Sequence, residues 1–371
     1  MTALISAPDT QRKLEILSAD AQYDLSCACA TGKTEHRKRG EQGWIYPVTL
    51  PNGGTSVIFK TLLSNVCSND CRYCPLRVQK DVRRCTLGEK EIVDAFLDYY
   101  RRGEVFGLFL TSGVLGTPDA TMERLNGVAR ILRYRRRFRG YIHLKIIPGA
   151  SDAAIEEALS LSTAVSLNIE TPGARHLAQL SSRKRFIEDI VAPMKLISRL
   201  TARGNRFEGV KPTTQFIVGA AEETDSEIIR YMWGLYDRLK FKRVYFSAHQ
   251  PVDDSESVRS PENAYIREHR LYQVDFLMRR YGFTETDIGF NQTGFLPLDI
   301  DPKEHWAKLH PEFFPVNVNR ASKFQIMRIP GIGEIMAGRI LEQRRNSKIR
   351  DLSDLGRLNT RLTRAGEYIC Y

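Results

Sequence analysis

TSVIFKTLL at residues 55–63 is followed three residues later by Cys67-Ser68-Asn69-Asp70-Cys71-Arg72-Tyr73-Cys74, and the fold is decided by how this stretch is read. The apolar run, set between Gly54 and the polar Ser64-Asn65, has the length and composition of a buried strand. The cysteines after it are separated by three and then by two residues. A tight loop cannot pair three thiols, so this is ligand spacing rather than disulfide spacing. Thiolates at such intervals suit zinc or an iron–sulfur cluster. Three protein ligands where four are usual leave one coordination position open, which is where metal chemistry happens. A zinc site completed by Cys85 or a histidine is the competing reading, but no second CxxC accompanies it.

Outward from this stretch, strand-like and helix-like segments alternate as far as about Pro251. Strand candidates are 56–63, 105–110, 141–147, 164–169, 214–218 and 243–247. The first helix carries Ile92, Val93, Phe96, Leu97 and Tyr100 on one face, with Thr86 and Glu89 as its expected capping box and Gly103 as its stop. The second opens at Pro118, buries Met122, Leu125, Val128, Ala129 and Leu132, and ends in a dense basic run that includes Arg130, Arg133, Arg135, Arg136, Arg137 and Arg139. That run is either a solvated helix end or a nucleic-acid contact. Six βα repeats imply a parallel sheet, doubly wound or curled into a barrel. In the third strand Ile142, Leu144 and Ile146 share one face, and Tyr141, His143 and Lys145 the other. In the fourth, Val165, Leu167 and Ile169 oppose Ser166, Asn168 and Glu170. One face of the sheet therefore looks into something polar, whereas a flat parallel sheet covered on both sides reads as almost uniformly apolar. Lys145 and Glu170 then need partners, either each other or a polar ligand.

Cysteines in the loop after a first buried strand, with aromatic Tyr73 just before the third, resemble the radical S-adenosylmethionine (radical SAM) superfamily. The resemblance implies a partial, six-stranded (β/α) TIM-like barrel with its site at the C-terminal strand ends. It also implies that Cys67, Cys71 and Cys74 hold a 4Fe–4S cluster whose fourth iron is chelated by SAM, with Tyr73 against the adenine. Leu110-Thr111-Ser112-Gly113 stands where many members have Gly-Gly-Glu for the SAM amino group, a departure from the pattern. Ser112, Lys145 and Ser166 instead resemble the serine, lysine and serine of the spore photoproduct lyases. The lysine would meet the SAM carboxylate, and the hydroxyls its amino group or ribose. Asn168 and Glu170 would line the same pocket, and Gly219 is where the superfamily brings backbone close to the adenine. The lyases carry a hydrogen-donating cysteine at the position of Leu110, so their reaction is not carried over. Cys27, Cys29, Cys85 and Tyr245 are candidate donors. Cys27 and Cys29 are alternatively metal ligands or small part-buried residues.

The end of the chain reads differently. Residues 320–371 hold eleven Lys/Arg against five Asp/Glu, so 11 − 5 = +6 of the net +11 lies there. From Phe314 to Ile340, through Ile329-Pro330-Gly331-Ile332-Gly333, the tail resembles a helix-hairpin-helix. The expectation is that Gly331 and Gly333 let the hairpin turn its N–H groups outward to a DNA phosphate, while Lys323, Arg339, Arg344 and Arg345 add charge. The expected domains are an extension at 1–54, the barrel at 55–255, a helix and linker completing it at 256–315, and the hairpin domain at 316–371.

Composition sets outer limits. Hydrophobic residues at 42% and charged residues at 27% are ordinary for a globular protein, and no run of about 18 apolar residues suggests a membrane span. Seven cysteines, three of them clustered, and an N-terminus without an apolar leader lead to the expectation of a reducing, cytoplasmic location. The positive balance favours an anionic partner. Barrel and hairpin together resemble the DNA modification or repair radical SAM proteins. The implied function is repair or modification of DNA bases by a 5′-deoxyadenosyl radical, with a flavodoxin or ferredoxin as electron donor. The alternatives are an RNA- or tRNA-modifying radical SAM enzyme and a DNA-binding iron–sulfur sensor without turnover.

Overall fold

The computed structural model describes residues 8–21, 43–49, 54–250, 261–357 and 359–371. Cys27, Cys29 and most of the polar loop expected at 252–263 lie outside the described residues. The chain divides into two compact units, residues 1–223 with 234–264, and residues 224–233 with 265–371. Among the described residues no helix is long and apolar enough to cross a membrane.

The first unit is a seven-stranded sheet in sequence order: β1 (Ile45–Thr49), β2 (Thr55–Leu62), β3 (Gly107–Thr111), β4 (Tyr141–Lys145), β5 (Ala164–Ser166), β6 (Lys211–Val218) and β7 (Arg243–Ala248). Strands β2 to β7 are parallel and curl into the expected partial barrel. The seventh strand, β1, pairs antiparallel with β2 inside the stretch read as an N-terminal extension. Its Pro47 conceals it in the sequence, and proline is tolerated there because β1 is an edge strand.

Neighbours in a parallel register share a face, so the pairing sorts the strand residues into two sets. Leu108, Ile142, Val165, Thr214 and Val244 fall on the outer side, and with Phe59, Leu110, Leu144, Phe216 and Phe246 they pack beneath the helices, all 0–1% exposed. Lys60, Phe109, His143, Lys145, Ser166, Thr213, Gln215 and Tyr245 fall on the inner side. The polar second face read from the alternation is thus the barrel lining.

Helices α2 (Glu89–Arg101), α3 (Pro118–Arg130), α4 (Asp152–Leu161), α5 (Ala174–Leu180) and α6 (Ala192–Thr201) lie in the crossovers, preceded by α1 (Thr10–Asp20). The expected capping box of α2 is displaced by two residues. Gly88 is the N-cap and its N–H donates to the Glu91 carboxylate at 2.6 Å, while Thr86 bonds Ser64 across a β-bridge. Thr86 is drawn off because the chain is still extended there. Gly103 does end the helix, with φ 73° and its N–H on the Tyr100 carbonyl. Helix α3 opens behind Thr117, whose hydroxyl accepts from Ala120 N–H, with Pro118 in its first turn.

Helix α7 (Asp225–Asp237) runs from the second unit into the first. The second unit continues with α8 (Pro261–Tyr281), whose residues from Tyr265 onward belong to it, and with α9 (Pro302–Leu309). It ends in α10 (Lys323–Arg328), α11 (Glu334–Asn346) and α12 (Thr360–Gly366), closed by a short parallel pair, β8 (Val316–Asn317) and β9 (Ile369–Cys370). Its tail core comprises Ile326, Ile329, Ala337, Ile340, Ile349 and Leu362 with their neighbours. Arg328, counted with the basic tail in the sequence, is 4% exposed. It pairs with Asp287 at 2.8 and 3.1 Å and lies 4.3–4.6 Å from the ring centres of Phe283, Trp306 and Phe324. The segment 283–315 is held by contacts of this kind together with α9, which buries Trp306 and Ala307.

Candidate active site at the strand ends

The cysteine loop leaves the C-terminal end of β2 and is laced to the loop after β3. Leu63 N–H donates to Thr111 O, Gly113 N–H to Ser64 O and Ser68 N–H to Val114 O, all at 2.7–2.9 Å. Val114 N–H also points at Cys67 Sγ, 3.4 Å away. A Cβ on Gly113 would stand 2.4 Å from Val66 O and 3.1 Å from Cys67 Cβ, so this position has no room for a side chain. Ser112, expected from the resemblance to bind the SAM amino group or ribose, reaches Ser64 O at 3.5 Å. The departure from Gly-Gly-Glu therefore coincides with a pair of residues that hold the cysteine loop to the barrel.

A second set of restraints comes from residues 181–184, which the sequence reading passed over. Against burial that would raise it, hydrogen bonds from Ser181 and Ser182 hold the Asp70 carboxyl down at about 2. Arg183 donates to Ser68 O, and Arg72 N–H to Leu180 O. Lys184 turns inward, with its side chain 7% exposed. Its ammonium donates to the Tyr73 hydroxyl at 3.1 Å and lies 3.6 Å from Glu170 Oε1. Burial would lower the Lys184 pKa, but the Cys71 sulfur and the Glu170 carboxylate beside it raise it. Tyr73, expected against an adenine, therefore also carries the end of a buried cation.

Glu170 reaches this position through a bulge. Ser166 pairs with Thr213 and Glu170 with Phe216, four residues on one strand against three on the other. Ile169 N–H is met by the Thr214 hydroxyl, and Glu170 takes φ 65°, a conformation that is strained for any residue with a side chain. The simple alternation of Ser166, Asn168 and Glu170 breaks here. The Glu170 ion pair is with Lys184 instead of the Lys145 partner considered from sequence. Asn168 Nδ2 approaches Glu170 Oε2 at 3.4 Å. Ser166 Oγ and Gln215 Nε2, on adjacent strands, are buried and have no hydrogen-bond partner among the described residues. Orphaned polar atoms in a barrel lining call for a partner that the described residues do not supply, such as a polar ligand or water. Gly219 holds φ 84° at the end of β6, and its N–H donates to Glu223 Oε1 at 2.6 Å. Glu223, 1% exposed, is a further residue the sequence reading missed.

The donor set fits an iron–sulfur cluster better than a single ion. No three His, Cys, Asp or Glu side chains among the described residues converge as ligands of one metal ion. A cluster asks for no such convergence, since each thiolate binds a different iron. Burial and the neighbouring sulfurs push the Cys74 thiol up to about 12, and burial raises Cys71 as well, so ionised sulfurs here call for a cationic partner. Cys85 stands elsewhere. Its N–H bonds Asn65 and its thiol lies 4.0 Å from Lys13 O in α1, so no fourth zinc ligand is supplied from that position.

In the second unit the expected DNA-contacting residues separate into two groups. Lys323, Arg339 and Arg345 are exposed. Arg344 is half-buried and donates to Val318 O and Ala321 O at 3.2 and 2.6 Å. Gly331 has φ 82°, and a Cβ there would lie 2.2 Å from Arg361 O. Its glycine is therefore required by packing on α12, a different reason from the one the sequence suggested. Gly333 caps α11, with the Tyr281 hydroxyl 3.1 Å from where a Cβ would be. Lys303, buried beneath the hairpin, donates to Ile332 O at 2.6 Å.

Residues 61–232 match the radical SAM superfamily, and residues 313–360 match the helix-hairpin-helix motif. The chain thus carries a radical SAM domain, of a superfamily that works with a 4Fe–4S cluster and SAM, followed by a helix-hairpin-helix. Solved structures with similarity include methylornithine synthase, at 16% identity and TM-score 0.45 over 58% of this chain and 61% of that one. The FeFe-hydrogenase maturase HydG from Carboxydothermus hydrogenoformans gives 16% and 0.46 over 60% and 51%. The radical SAM methyltransferase TsrM from Kitasatospora setae gives 15% and 0.41 over 52% and 34%. The chain spans less than two thirds of each of these proteins. No curated protein matches.

Proposed function

We propose that this chain is a radical SAM enzyme acting on DNA, to repair or modify a base, and that its C-terminal hairpin holds the duplex backbone. The carrying observation is the meeting, at one end of the barrel, of the cysteine loop with a polar lining that includes unsatisfied Ser166 and Gln215. Such a lining suits a bound polar cofactor. When bound, the cluster would supply one electron for the reductive cleavage of SAM to methionine and a 5′-deoxyadenosyl radical. The protein's own part is to hold and align. Cys67, Cys71 and Cys74 would ligate the cluster, and Ser112 and Gly113 brace their loop. Tyr73, Lys145, Ser166, Asn168, Glu170 and Gly219 would line the SAM pocket. An electron donor of the flavodoxin or ferredoxin type would serve the cluster. The nucleic-acid half of the reading is supported by the hairpin and by nine of the tail's eleven Lys/Arg remaining exposed, all but Arg328 and Arg344. A base inside a duplex cannot reach a barrel mouth, so the target is flipped out or single-stranded.

The test is anaerobic reconstitution followed by dithionite and SAM. The parent protein should release 5′-deoxyadenosine, and Cys67→Ala, Cys71→Ala and Cys74→Ala should each abolish it. Nucleoside mass spectrometry of DNA with and without the protein should then reveal an altered base. Undiminished 5′-deoxyadenosine from the cysteine variants would refute the enzyme reading, and unaltered DNA would refute the substrate.

A further inference from the structure

The basic run that closes α3 plays no part in the site above, and its geometry is unusual. Helix α3 widens at its end into a π-helical turn, Ile131–Arg135, a form found frequently at functional sites and present in this chain also at Phe186–Val191. The turn is rigidly braced. Arg133 donates to Leu161 O, Phe138 O and Gly140 O at 2.8–2.9 Å, and the buried Phe138 ring packs on Phe96 and Tyr100 at 5.1 and 4.9 Å. Arg130 is paired with Glu123 and Glu157, and Arg136 with Asp94. Arg135, Arg137 and Arg139 are exposed and have no acidic partner among the described residues. Tyr134, next to Arg135 in the chain, is 70% exposed. Arg137 is held at φ 55°, in the left-handed region. A braced frame thus displays one exposed aromatic ring and three exposed cations within six residues.

We propose that this turn grips single-stranded nucleic acid, with Tyr134 stacking on a base and Arg135, Arg137 and Arg139 meeting phosphates. The inference rests on the nucleic-acid reading given above. An exposed ring among cations suits an unpaired strand, whose bases have free faces, whereas a duplex keeps its bases stacked on each other. The turn precedes β4 and so lies at the N-terminal ends of the strands, while the cysteine loop lies at their C-terminal ends. It therefore holds a strand outside the reaction site. An acidic electron-donor protein would match the charge but not the stacking face, and from here its electron would have to cross the barrel.

The test uses the full chain, a fluorescent oligothymidylate and a salt series read by anisotropy. For Arg135→Gln/Arg137→Asn/Arg139→Gln, three lost contacts should flatten the slope of log affinity against log salt by about 2. Asparagine is chosen at 137 because it tolerates the left-handed backbone. Tyr134→Ala should weaken binding about tenfold at every salt concentration, since stacking is not an ionic effect. Tyr134→Phe should bind like the parent. Duplex binding should be unchanged in all of them. Oligothymidylate affinity and slope equal to the parent's in the triple variant and in Tyr134→Ala would overturn the proposal. So would intact oligonucleotide binding combined with lost binding to a ferredoxin or flavodoxin, which would assign the turn to an acidic protein. A parent that binds neither probe overturns the nucleic-acid reading itself, a result distinct from failure of this turn alone.

Discussion

At the scale of single residues, Lys184 has the clearest electrostatic role. It is a buried cation beside Cys71, tied to Tyr73 and Glu170. A positive charge there favours a cluster that gains an electron. Lys184→Met should therefore move the cluster's midpoint potential to more negative values, by about 59 mV if the reduction equilibrium shifts tenfold. Lys184→Arg should restore most of it. A redox titration followed by electron paramagnetic resonance reads this without turnover, and an unchanged potential in Lys184→Met would assign the residue to loop packing. Lys184 could not be found from the sequence, because its partner Tyr73 is 111 positions away and no local pattern marks the contact. The cysteines were legible because their chemistry and spacing are local.

At the scale of elements, the hairpin shows which basic side chains are available and which are structural. Arg339 and Arg345 project freely, whereas Arg344 satisfies two carbonyls. Arg339→Gln with Arg345→Gln should reduce the salt slope of duplex binding by about 1.8, two contacts at roughly 0.9 each, and leave the melting temperature nearly unchanged. Arg344→Gln should lower the melting temperature instead, through the carbonyls it abandons. Anisotropy on duplex DNA with parallel thermal melts separates the two, and identical behaviour of the variants would contradict the division. Apolar runs placed β2 to β7 within a few residues, because the outward face of each strand is a short apolar series packed beneath the helices. The bulge after β5 was not legible. It depends on how Glu170 meets Phe216, a pairing set by tertiary register.

At the scale of the whole molecule, the second unit carries a buried charge that should make stability depend on pH. Lys303 belongs to the second unit, 7% exposed, and burial, only partly offset by Asp301, brings its pKa down to about 7. Between about 7 and the ordinary lysine value near 10.4 the unfolded chain holds the extra proton. Stability should therefore rise with pH across that window, by at most about 1.4 kcal/mol per pH unit. Below it both states are charged and the full burial cost remains. Lys303→Met should remove the rise, which urea unfolding of the full chain by circular dichroism at several pH values would show. A slope identical to the parent's would mean that Lys303 stays solvated. The sequence suggested two modules from charge and motif alone. It did not show that buried Lys303 and Arg328 sit among aromatic rings in the second of them.

The tryptophans supply a built-in optical label for this division. Trp44, 5% exposed and edge-on to Tyr99 at 6.2 Å, is the tryptophan of the first unit, whereas Trp233 and Trp306 lie in the second. A shielded indole emits in the blue and shifts to the red when water reaches it. The emission lost on Trp44→Phe is therefore the spectrum of the barrel alone. Following that difference spectrum and the residual spectrum through one denaturation shows whether the units melt together or in turn, a question that a two-unit chain leaves open to two-step behaviour.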